Sequence, residues 1–175
     1  MIRIRQHITQ LHTAILTVLL LSITPAAALA DDLEGTGTAA DPYLITSDAD
    51  FARFVEMANT ADGASKCYRL TADVNAGDEI TQPFTGIFEA TASDDGSLYK
   101  ISGLRHALFN TLNGGVVRNL VLDNVLISGS GNTGSVCNEA IGTSRIYNCG
   151  VQSGEVASAA SRKACSFAST AACRV

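Results

Sequence analysis

The chain of 175 residues carries 17 acidic and 12 basic residues, a formal net charge of −5. Such acidity argues against nucleic acid or anionic lipid as partners, because both favour basic protein surfaces. Aromatic residues make up 6% of the chain and tryptophan is absent, so a core would depend mainly on Val, Ile, Leu and Ala. The length fits one domain with a sizeable core.

The first thirty residues have the features of a secretory signal peptide. Arg3 and Arg5 give a basic start, residues 16–23 (LTVLLLSI) form a short apolar core, and residues 28–30 (ALA) end the segment. The apolar core is shorter than the ~20 residues that a membrane-spanning helix needs, so we expect cleavage after residue 30 rather than an anchor. The exported chain, 31–175, then has 17 acidic and 10 basic residues, a net charge of −7. It is expected to be soluble, and secreted or on the cell surface.

A helix is predicted near the start of the exported chain. Residues 31–40 (DDLEGTGTAA) are small and polar and predict a flexible lead-in, and residues 41–45 (DPYLI) predict a turn and a short strand. Ser47 and Asp50 then have the spacing of a capping box. The predicted helix, 48–59, has one apolar face, formed by Phe51, Phe54, Val55 and Ala58.

The rest of the chain to residue 158 reads as short strands, with Gly, Asn, Asp and Ser at every break. No helical pattern intervenes, so this region is predicted to be entirely β. The predicted strand segments are 67–74 (CYRLTADV), 84–90 (FTGIFEA), 98–104 (LYKISGL), 106–112 (HALFNTL), 114–132 (GGVVRNLVLDNVLISGSGN) and 144–158 (SRIYNCGVQSGEVAS).

Two of these segments repeat at a constant offset, since 117–122 (VRNLVL) matches 146–151 (IYNCGV). A shorter copy, 101–104 (ISGL), precedes 117–120 at a smaller offset. Repetition of this kind is typical of a solenoid. The offset between the two longer copies predicts four pairs of inward side chains: Val117 with Ile146, Leu120 with Cys149, Leu122 with Val151, and Ile127 with Val156.

The alternation of apolar residues in 114–132 changes phase at Asp123-Asn124. A parallel β-helix explains this change, because each rung is two or three strands joined by corners, and Asn and Asp accept the left-handed backbone that corners need. We expect Asn119 and Asn148 to stack as a ladder at successive corners. The alternative, an antiparallel sandwich, predicts regular strands and two-residue hairpin turns.

Taken in order, the segments from 35–59 (GTGTAADPYLITSDADFARFVEMAN) to 144–158 resemble bacterial surface proteins with GLUG-type repeats. Such repeats also accompany some immunoglobulin A-cleaving metallopeptidases. The resemblance covers roughly residues 35–158. It implies an all-β, right-handed parallel β-helix whose first rung is capped by the 48–59 helix, and a secreted or surface role that is often adhesive. The predicted domain is therefore 41–158, followed by an irregular or disordered tail, 159–175.

The sequence departs from the family pattern at three places. An insertion around 94–96 (DDG) predicts a bulging loop, and the repeat that names the family is degenerate at 108–110 (LFN) and 139–142 (EAIG). Residues 159–175 lose the pattern, which suggests a truncated or frameshifted product of a longer repeat protein. A complete short protein with a disordered tail is the alternative.

The five cysteines of the exported chain leave several interpretations open. Export favours disulfides, but an odd number leaves at least one thiol unpaired, and small cysteines buried in a β core are an equal alternative. With no C-x-x-C pair and His106 the one histidine after residue 30, a zinc site is not expected. The sequence does not fix the pairing among Cys67, Cys137, Cys149, Cys165 and Cys173.

No catalytic, cofactor-binding or metal-binding residue is predicted. The sequence lacks H-E-x-x-H and G-x-S-x-G, His106 is interpreted as structural, and glycine-rich 128–135 as a loop. The leading hypothesis is a noncatalytic binding or adhesin-type module that meets a glycan or an extracellular protein, alone or associated end to end. The alternative is a carbohydrate-active β-helix enzyme, a polysaccharide lyase or hydrolase. Its candidate carboxylates are Asp73, Asp78, Glu79, Asp94, Asp95 and Asp123.

Overall fold

The computed structural model describes residues 32–158, and within them it places thirteen strands, one α-helix and one short 3-10 helix. The predicted signal peptide and the predicted tail lie outside these residues. Helix α1 spans Asp48–Ala58 and the 3-10 helix spans Gly63–Ser65. The strands are β1 Tyr43–Ile45, β2 Cys67–Leu70, β3 Val74–Asn75, β4 Ile87–Ala90, β5 Lys100–Ser102, β6 Phe109–Asn113, β7 Val116–Arg118, β8 Val121–Asp123, β9 Val125–Gly129, β10 Cys137–Ile141, β11 Arg145–Tyr147, β12 Gly150–Val151 and β13 Gly154–Ser158.

All pairings between these strands are parallel. A five-stranded sheet has the order β1-β2-β4-β7-β11 and a four-stranded sheet the order β12-β8-β5-β3, while β6 pairs with β10 and β9 with β13. In the described residues the one antiparallel bridge joins Ala92 to Leu98, across the turn that the insertion at 94–96 predicts. An antiparallel sandwich of hairpins is therefore wrong. The right-handed β-helix stays a prediction.

The strand register confirms the offset between the two longer copies of the repeat. Val117 lies opposite Ile146, Leu122 opposite Val151 and Ile127 opposite Val156. The smaller offset, which aligned Ile101 with Val117, is wrong, because Ile101 lies opposite Leu122 and Val74 instead. Loops of unequal length separate the early strands, so a fixed offset fails there.

Segment 114–132 forms three strands and two corners, one where the phase change predicts it and one where the expected asparagine ladder predicts it. The backbone is left-handed at Asn119 (φ 56°) between β7 and β8, and at Asn124 (φ 49°) between β8 and β9. Leu120 is fully buried but belongs to no strand; it lies at the first corner. Each corner resets which alternate residues face the core, and this accounts for the broken pattern.

The helix and its cap are confirmed, with the helix ending one residue earlier than predicted. The Ser47 side chain accepts a hydrogen bond from the Asp50 backbone N–H at 3.2 Å. In the usual capping box the second side chain accepts from the backbone N–H of the N-cap residue itself. Here Asp50 Oδ2 accepts instead from the N–H of Thr46, the residue before the cap, at 2.9 Å. The first bond satisfies an N–H group that a helix start leaves free, and the second fixes the residue before the cap.

The buried face of α1 packs on aromatic side chains from three strands. The Phe54 ring lies 4.6 Å from that of Tyr68 on β2, 5.0 Å from Phe88 on β4 and 6.4 Å from Phe109 on β6, between centroids. All four are fully buried. The apolar face of the helix therefore closes the core on the side where the first strands lie.

The segment expected as a flexible lead-in is instead held against the first strands. Leu33 is buried in the core, the Glu34 carbonyl accepts from the Leu44 N–H at 2.8 Å, and the Gly37 carbonyl accepts from the Cys67 N–H at 2.9 Å. Leu33 and these backbone hydrogen bonds hold the segment in place, and the small, polar composition of the segment does not reveal them.

Strand boundaries differ from the prediction in two further ways. Segment 67–74 divides into β2 and β3, which belong to different sheets, and β10 arises from 137–141, where no strand was predicted. Strand β10 carries Asn and Glu at adjacent positions and lacks a β-branched run. Its strand conformation therefore depends on pairing with β6, a tertiary contact, and not on the preferences of its own residues.

Candidate binding face

The outer face of the five-stranded sheet carries a row of interacting polar side chains. Strand residues alternate between the two faces; Tyr68, Phe88 and Val117 point into the core. The next residue on each of these strands, and the corresponding one on β11, points outward in matched register. We call Arg69, Glu89, Arg118 and Tyr147 the arginine row.

Hydrogen bonds link the whole arginine row. Arg69 Nε donates to Glu89 Oε1 at 2.7 Å, and Arg118 Nε donates to Glu89 Oε2 at 2.6 Å. Arg118 Nη1 donates to the Tyr147 hydroxyl oxygen at 3.1 Å. Both guanidinium groups thus face one carboxylate, and the row crosses four adjacent strands.

The opposite charges in the arginine row stabilise the ionised forms of Glu89 and Arg118. Burial alone would raise the pKa of Glu89, whose side chain is 11% exposed, but the hydrogen bonds from Arg69 and Arg118 outweigh it and leave that pKa lowered. The hydrogen bonds with Tyr147 and Glu89 raise the pKa of Arg118. The row is therefore an ordered charged surface at neutral pH.

The surroundings of the row give this face a net positive charge. A second outward row beside it contains Cys67, Ile87, Val116 and Arg145. The two rows together hold three arginines and one carboxylate, in a chain whose net charge is −5. Tyr147 is 41% exposed and its hydroxyl is bonded to Arg118. Guanidinium groups and an exposed aromatic ring are side chains that favour anionic or saccharide ligands.

Sequence reasoning missed the arginine row, although a signal for it is present. Glu89 and Arg118 are 29 residues apart, as are Arg118 and Tyr147, and this spacing equals the offset of the repeat. Each of the three directly follows an inward apolar residue. Arg69 stands 20 residues before Glu89, because the stretch from β2 to β4, which contains β3, is shorter than the later repeats. The offset of the repeat therefore also aligns outward residues, which a pattern of inward apolar residues does not show.

Two of the candidate carboxylates lie around one lysine. Asp73 Oδ1 accepts from the Lys100 backbone N–H at 3.0 Å, and Asp123 Oδ2 lies 3.4 Å from Lys100 Nζ. Asp123 also accepts from the Ser153 hydroxyl at 2.6 Å and from the Asn124 N–H at 2.9 Å. The hydrogen bond from Ser153 is the main reason that the pKa of Asp123 is lowered. This carboxylate caps the corner at Asn124, which lies where the phase change predicts it.

The remaining candidate carboxylates hold turns or extend from loops. Asp95 Oδ1 accepts from the Ser97 N–H at 2.8 Å and from both neighbouring serine hydroxyls, and these bonds lower the pKa of Asp95 to about 2. Asp94 lies in the same exposed turn. Asp78 and Glu79 lie in the loop between β3 and β4, where the Glu79 carbonyl oxygen accepts from Asn59 Nδ2 at 3.1 Å.

His106 and the described cysteines have structural surroundings. The His106 ring nitrogens lie 2.9 Å from the Ala107 carbonyl oxygen and 3.2 Å from that of Gly77, so the ring joins two loops. Cys67, Cys137 and Cys149 are free thiols; burial raises the pKa of Cys137 and Cys149 to about 11. Cys165 and Cys173 lie outside the described residues. Glycine-rich 128–135 begins within β9, and its remaining residues, 130–135, form the predicted loop toward β10.

Residues 32–158 lack two further features that would suggest other functions. No group of three or more His, Cys, Asp or Glu side chains there could hold a metal ion. Over the same residues, no helix has both the length and the apolar character needed to cross a membrane.

Comparison with known proteins identifies the family. The family model described as the N-terminal region of M26 IgA1-specific metallo-endopeptidases matches residues 61–153, more than half of the chain. The chain belongs to this family. The resemblance to proteins that include IgA-cleaving metallopeptidases is thereby confirmed at the level of this region, whereas the GLUG repeats stay a prediction.

Two streptococcal proteases align over a large part of the chain. The immunoglobulin A1 protease of Streptococcus sanguinis is 34% identical over 123 residues, and one from Streptococcus pneumoniae is 35% identical over 122 residues. Each alignment covers 63% of this chain and 6% of the relative, so the chain spans a small part of these proteins. The family match is to their N-terminal region and not to the catalytic part. No solved structure matches the chain significantly.

Proposed function

We propose that the chain is an exported, noncatalytic binding module, built as a right-handed parallel β-helix and related to the N-terminal part of larger proteases. The parallel sheets, the constant register between successive turns and the left-handed asparagines at corners support the β-helix. The features of the first thirty residues support export. Membership of the M26 N-terminal family supports a role beside a protease rather than as one.

The observation that carries the binding proposal is the arginine row. Its side chains are ordered by mutual hydrogen bonds, yet the side chains of Arg69 and Arg118 remain 34% and 38% exposed. Ordered and accessible guanidinium groups bind carboxylate or sulfate groups with little loss of conformational entropy. The favoured ligand on this face is therefore a glycan or an extracellular protein that presents acidic groups, in an adhesin-type role.

A binding screen with two variants tests this proposal. The exported chain, recovered from an exporting host, is applied to a glycan array and to immobilised extracellular matrix proteins. We expect weak, saturable binding that falls at least about tenfold in Arg118→Ala, since a hydrogen bond to a charged group contributes ~1.5–3 kcal/mol. Arg53→Ala is the matched control, because Arg53 is 33% exposed and also ion-paired but lies on α1. Equal losses in both variants, or no binding, would contradict the proposal.

A carbohydrate-active enzyme is the second candidate. The observation in its favour is that Lys100 on β5 contacts both Asp73, through its backbone N–H, and Asp123 on β8, through its amine. A hydrolase uses a pair of carboxylates, and a lyase needs a base that takes a proton. Against it, each carboxylate already holds a backbone N–H. Incubation with polyuronates should release neither reducing ends nor unsaturated products. Steady product formation that Asp123→Asn abolishes would favour the enzyme.

A further inference from the structure

The charges of the arginine row alternate in sign across the strands. Arg69 lies on β2, Glu89 on the neighbouring strand β4, and Arg118 on β7, the strand after that. Neighbouring strands lie about 4.8 Å apart, so the two arginines stand ~9.6 Å apart along the row, with the carboxylate midway. The row therefore presents a positive, a negative and a positive group at regular intervals.

Most of the Arg69 guanidinium group is available to a ligand. A guanidinium carries five N–H groups, and Arg69 uses the one at Nε to bond Glu89. The four on its terminal nitrogens have no acceptor within residues 32–158, and the side chain is 34% exposed. The two terminal nitrogens can thus hold both oxygens of one carboxylate.

The second positive position combines a bonded and an unbonded guanidinium. Arg118 bonds Glu89 and Tyr147, and its side chain remains 38% exposed. Strand β11 adds Arg145 on the same face. Its side chain is exposed and has no hydrogen bond or ion pair within the described part of the chain. A second acidic group can therefore bind here, beside the exposed ring of Tyr147.

Glu89 separates the two positive positions and repels an acidic group placed over it. Its oxygens already accept hydrogen bonds, Oε1 from Arg69 and Oε2 from Arg118. An acidic ligand group directly above would bring two like charges together, which costs affinity, whereas a neutral group avoids that cost. The row therefore selects a ligand by the spacing of its acidic groups and not only by their number.

The size of this face suits an extended chain better than a folded protein. The two outward rows contain eight side chains, whereas a stable protein interface uses roughly 20–30 residues on each side. Extended peptides bind sheets mainly through free backbone groups at an edge, but β2, β4 and β7 each have a neighbour on both sides. A linear polysaccharide can bind through side chains alone.

Building on the binding role proposed above for the arginine row, we infer that its ligand is a linear polysaccharide with a carboxylate on every second sugar. Two sugar rings of an extended chain span about the same length as two strand spacings. Successive carboxylates therefore reach Arg69 and Arg118, while the neutral sugar between them lies over Glu89. The carboxylate of Glu89 already shows that both guanidinium groups accept this chemical group.

Two polysaccharide fragments with equal numbers of sugars test the spacing. Hyaluronan carries a carboxylate on every second sugar and polygalacturonate on every sugar. The exported chain, recovered from an exporting host, is titrated with each fragment by calorimetry, and with poly-glutamate as an acidic polypeptide. Total charge alone would favour polygalacturonate. We expect the reverse, with hyaluronan bound at least about tenfold more tightly, because polygalacturonate places a carboxylate over Glu89.

Three variants locate the discrimination. Glu89→Gln removes the repelling charge and should abolish the preference for hyaluronan, through a gain of at least about tenfold in polygalacturonate binding. Arg145→Gln changes an exposed side chain without a partner in residues 32–158, so it should fold normally and weaken hyaluronan binding at least about threefold. Arg53→Gln on α1 is the matched control and should change neither affinity.

Several outcomes would overturn the inference: no binding of hyaluronan, equal or tighter binding of polygalacturonate or poly-glutamate, or a preference that survives Glu89→Gln. The proposed function withstands each of them as long as Arg118→Ala weakens the binding of some acidic ligand in the screen. Hyaluronan binding that Arg118→Ala leaves unchanged would instead contradict the role of the arginine row itself, and the inference with it.

Discussion

Asn148 donates a hydrogen bond of 2.8 Å from its side-chain Nδ2 to Oδ1 of Asn119, a residue 29 positions earlier in the chain. Both backbones are left-handed, with φ of 51° and 56°. Each asparagine therefore serves the turn between two strands and also the contact between successive turns. The sequence predicts this ladder from the asparagine repeat and from the backbone that corners require.

Replacing Asn119 separates these two contributions. Asn119→Gly keeps access to the left-handed backbone and loses the side-chain bond, a cost of ~0.5–1.5 kcal/mol. Asn119→Ala loses the bond and also strains the backbone, which adds about 1 kcal/mol or more. Urea unfolding should therefore rank Asn119→Ala below Asn119→Gly, with both below the parent. Equal stability of the two variants would show that the corner does not need the left-handed conformation.

The sequence predicts the features of the fold that depend on neighbours in the chain or on one fixed repeat. Helix α1, its cap at Ser47 and the register of Val117 with Ile146 all belong to this class. The alignment of Ile101 with Val117 fails because loops of unequal length separate the early strands. Strand β10 is not predicted from the sequence because its residues have no strong preference for strand conformation.

The arginine row was missed for a different reason. Arg69 and Glu89 are 20 residues apart and Glu89 and Arg118 are 29 apart, so no single spacing joins all three. Their contact depends on the order of strands in the sheet, and the inward apolar pattern carries no information on outward partners. The excess of positive charge on this face, inside an acidic chain, could be recognised only after the strands were aligned.

The carboxylate of Glu89 should make stability depend on acid pH. Its folded pKa is lowered, so the stabilisation is fully present above the pKa of the unfolded chain, near 4.5, and is lost as pH falls through the folded value. Below pH 4.5 the parent should therefore lose stability more steeply than Glu89→Gln. Thermal melting from neutral pH down to about pH 3 measures this slope.

A surface variant controls the pH experiment. Glu56→Gln removes a carboxylate on α1 whose side chain is 69% exposed and paired with Arg53, where an ion pair contributes little. Its pH profile should follow that of the parent. If Glu56→Gln flattens the acid limb as much as Glu89→Gln does, the dependence reflects net charge and not the arginine row.

The contact between α1 and the strands predicts a severe effect of Phe54→Asp. The Phe54 side chain is fully buried among Tyr68 and Phe88, and truncation of a buried phenylalanine costs ~3–5 kcal/mol. The aspartate adds the cost of a buried charge. We expect loss of the cooperative thermal transition, whereas Phe54→Leu should lower the melting temperature and keep the transition. A parent-like melt of Phe54→Asp would mean that α1 does not close the core.

Thiol reactivity tests the burial of Cys137 and Cys149 residue by residue. Their pKa of about 11 leaves a far smaller thiolate fraction at mildly alkaline pH than an ordinary cysteine with a pKa of about 8.5 has, and the thiolate is the species that reacts. Alkylation by iodoacetamide, read by peptide mass spectrometry, should therefore be roughly a hundredfold slower at both residues than in the unfolded chain. Urea should restore the ordinary rate at both. Fast alkylation of Cys149 in the folded protein would contradict this prediction, because its thiol is partly buried and lies 3.3 Å from the Tyr147 carbonyl oxygen.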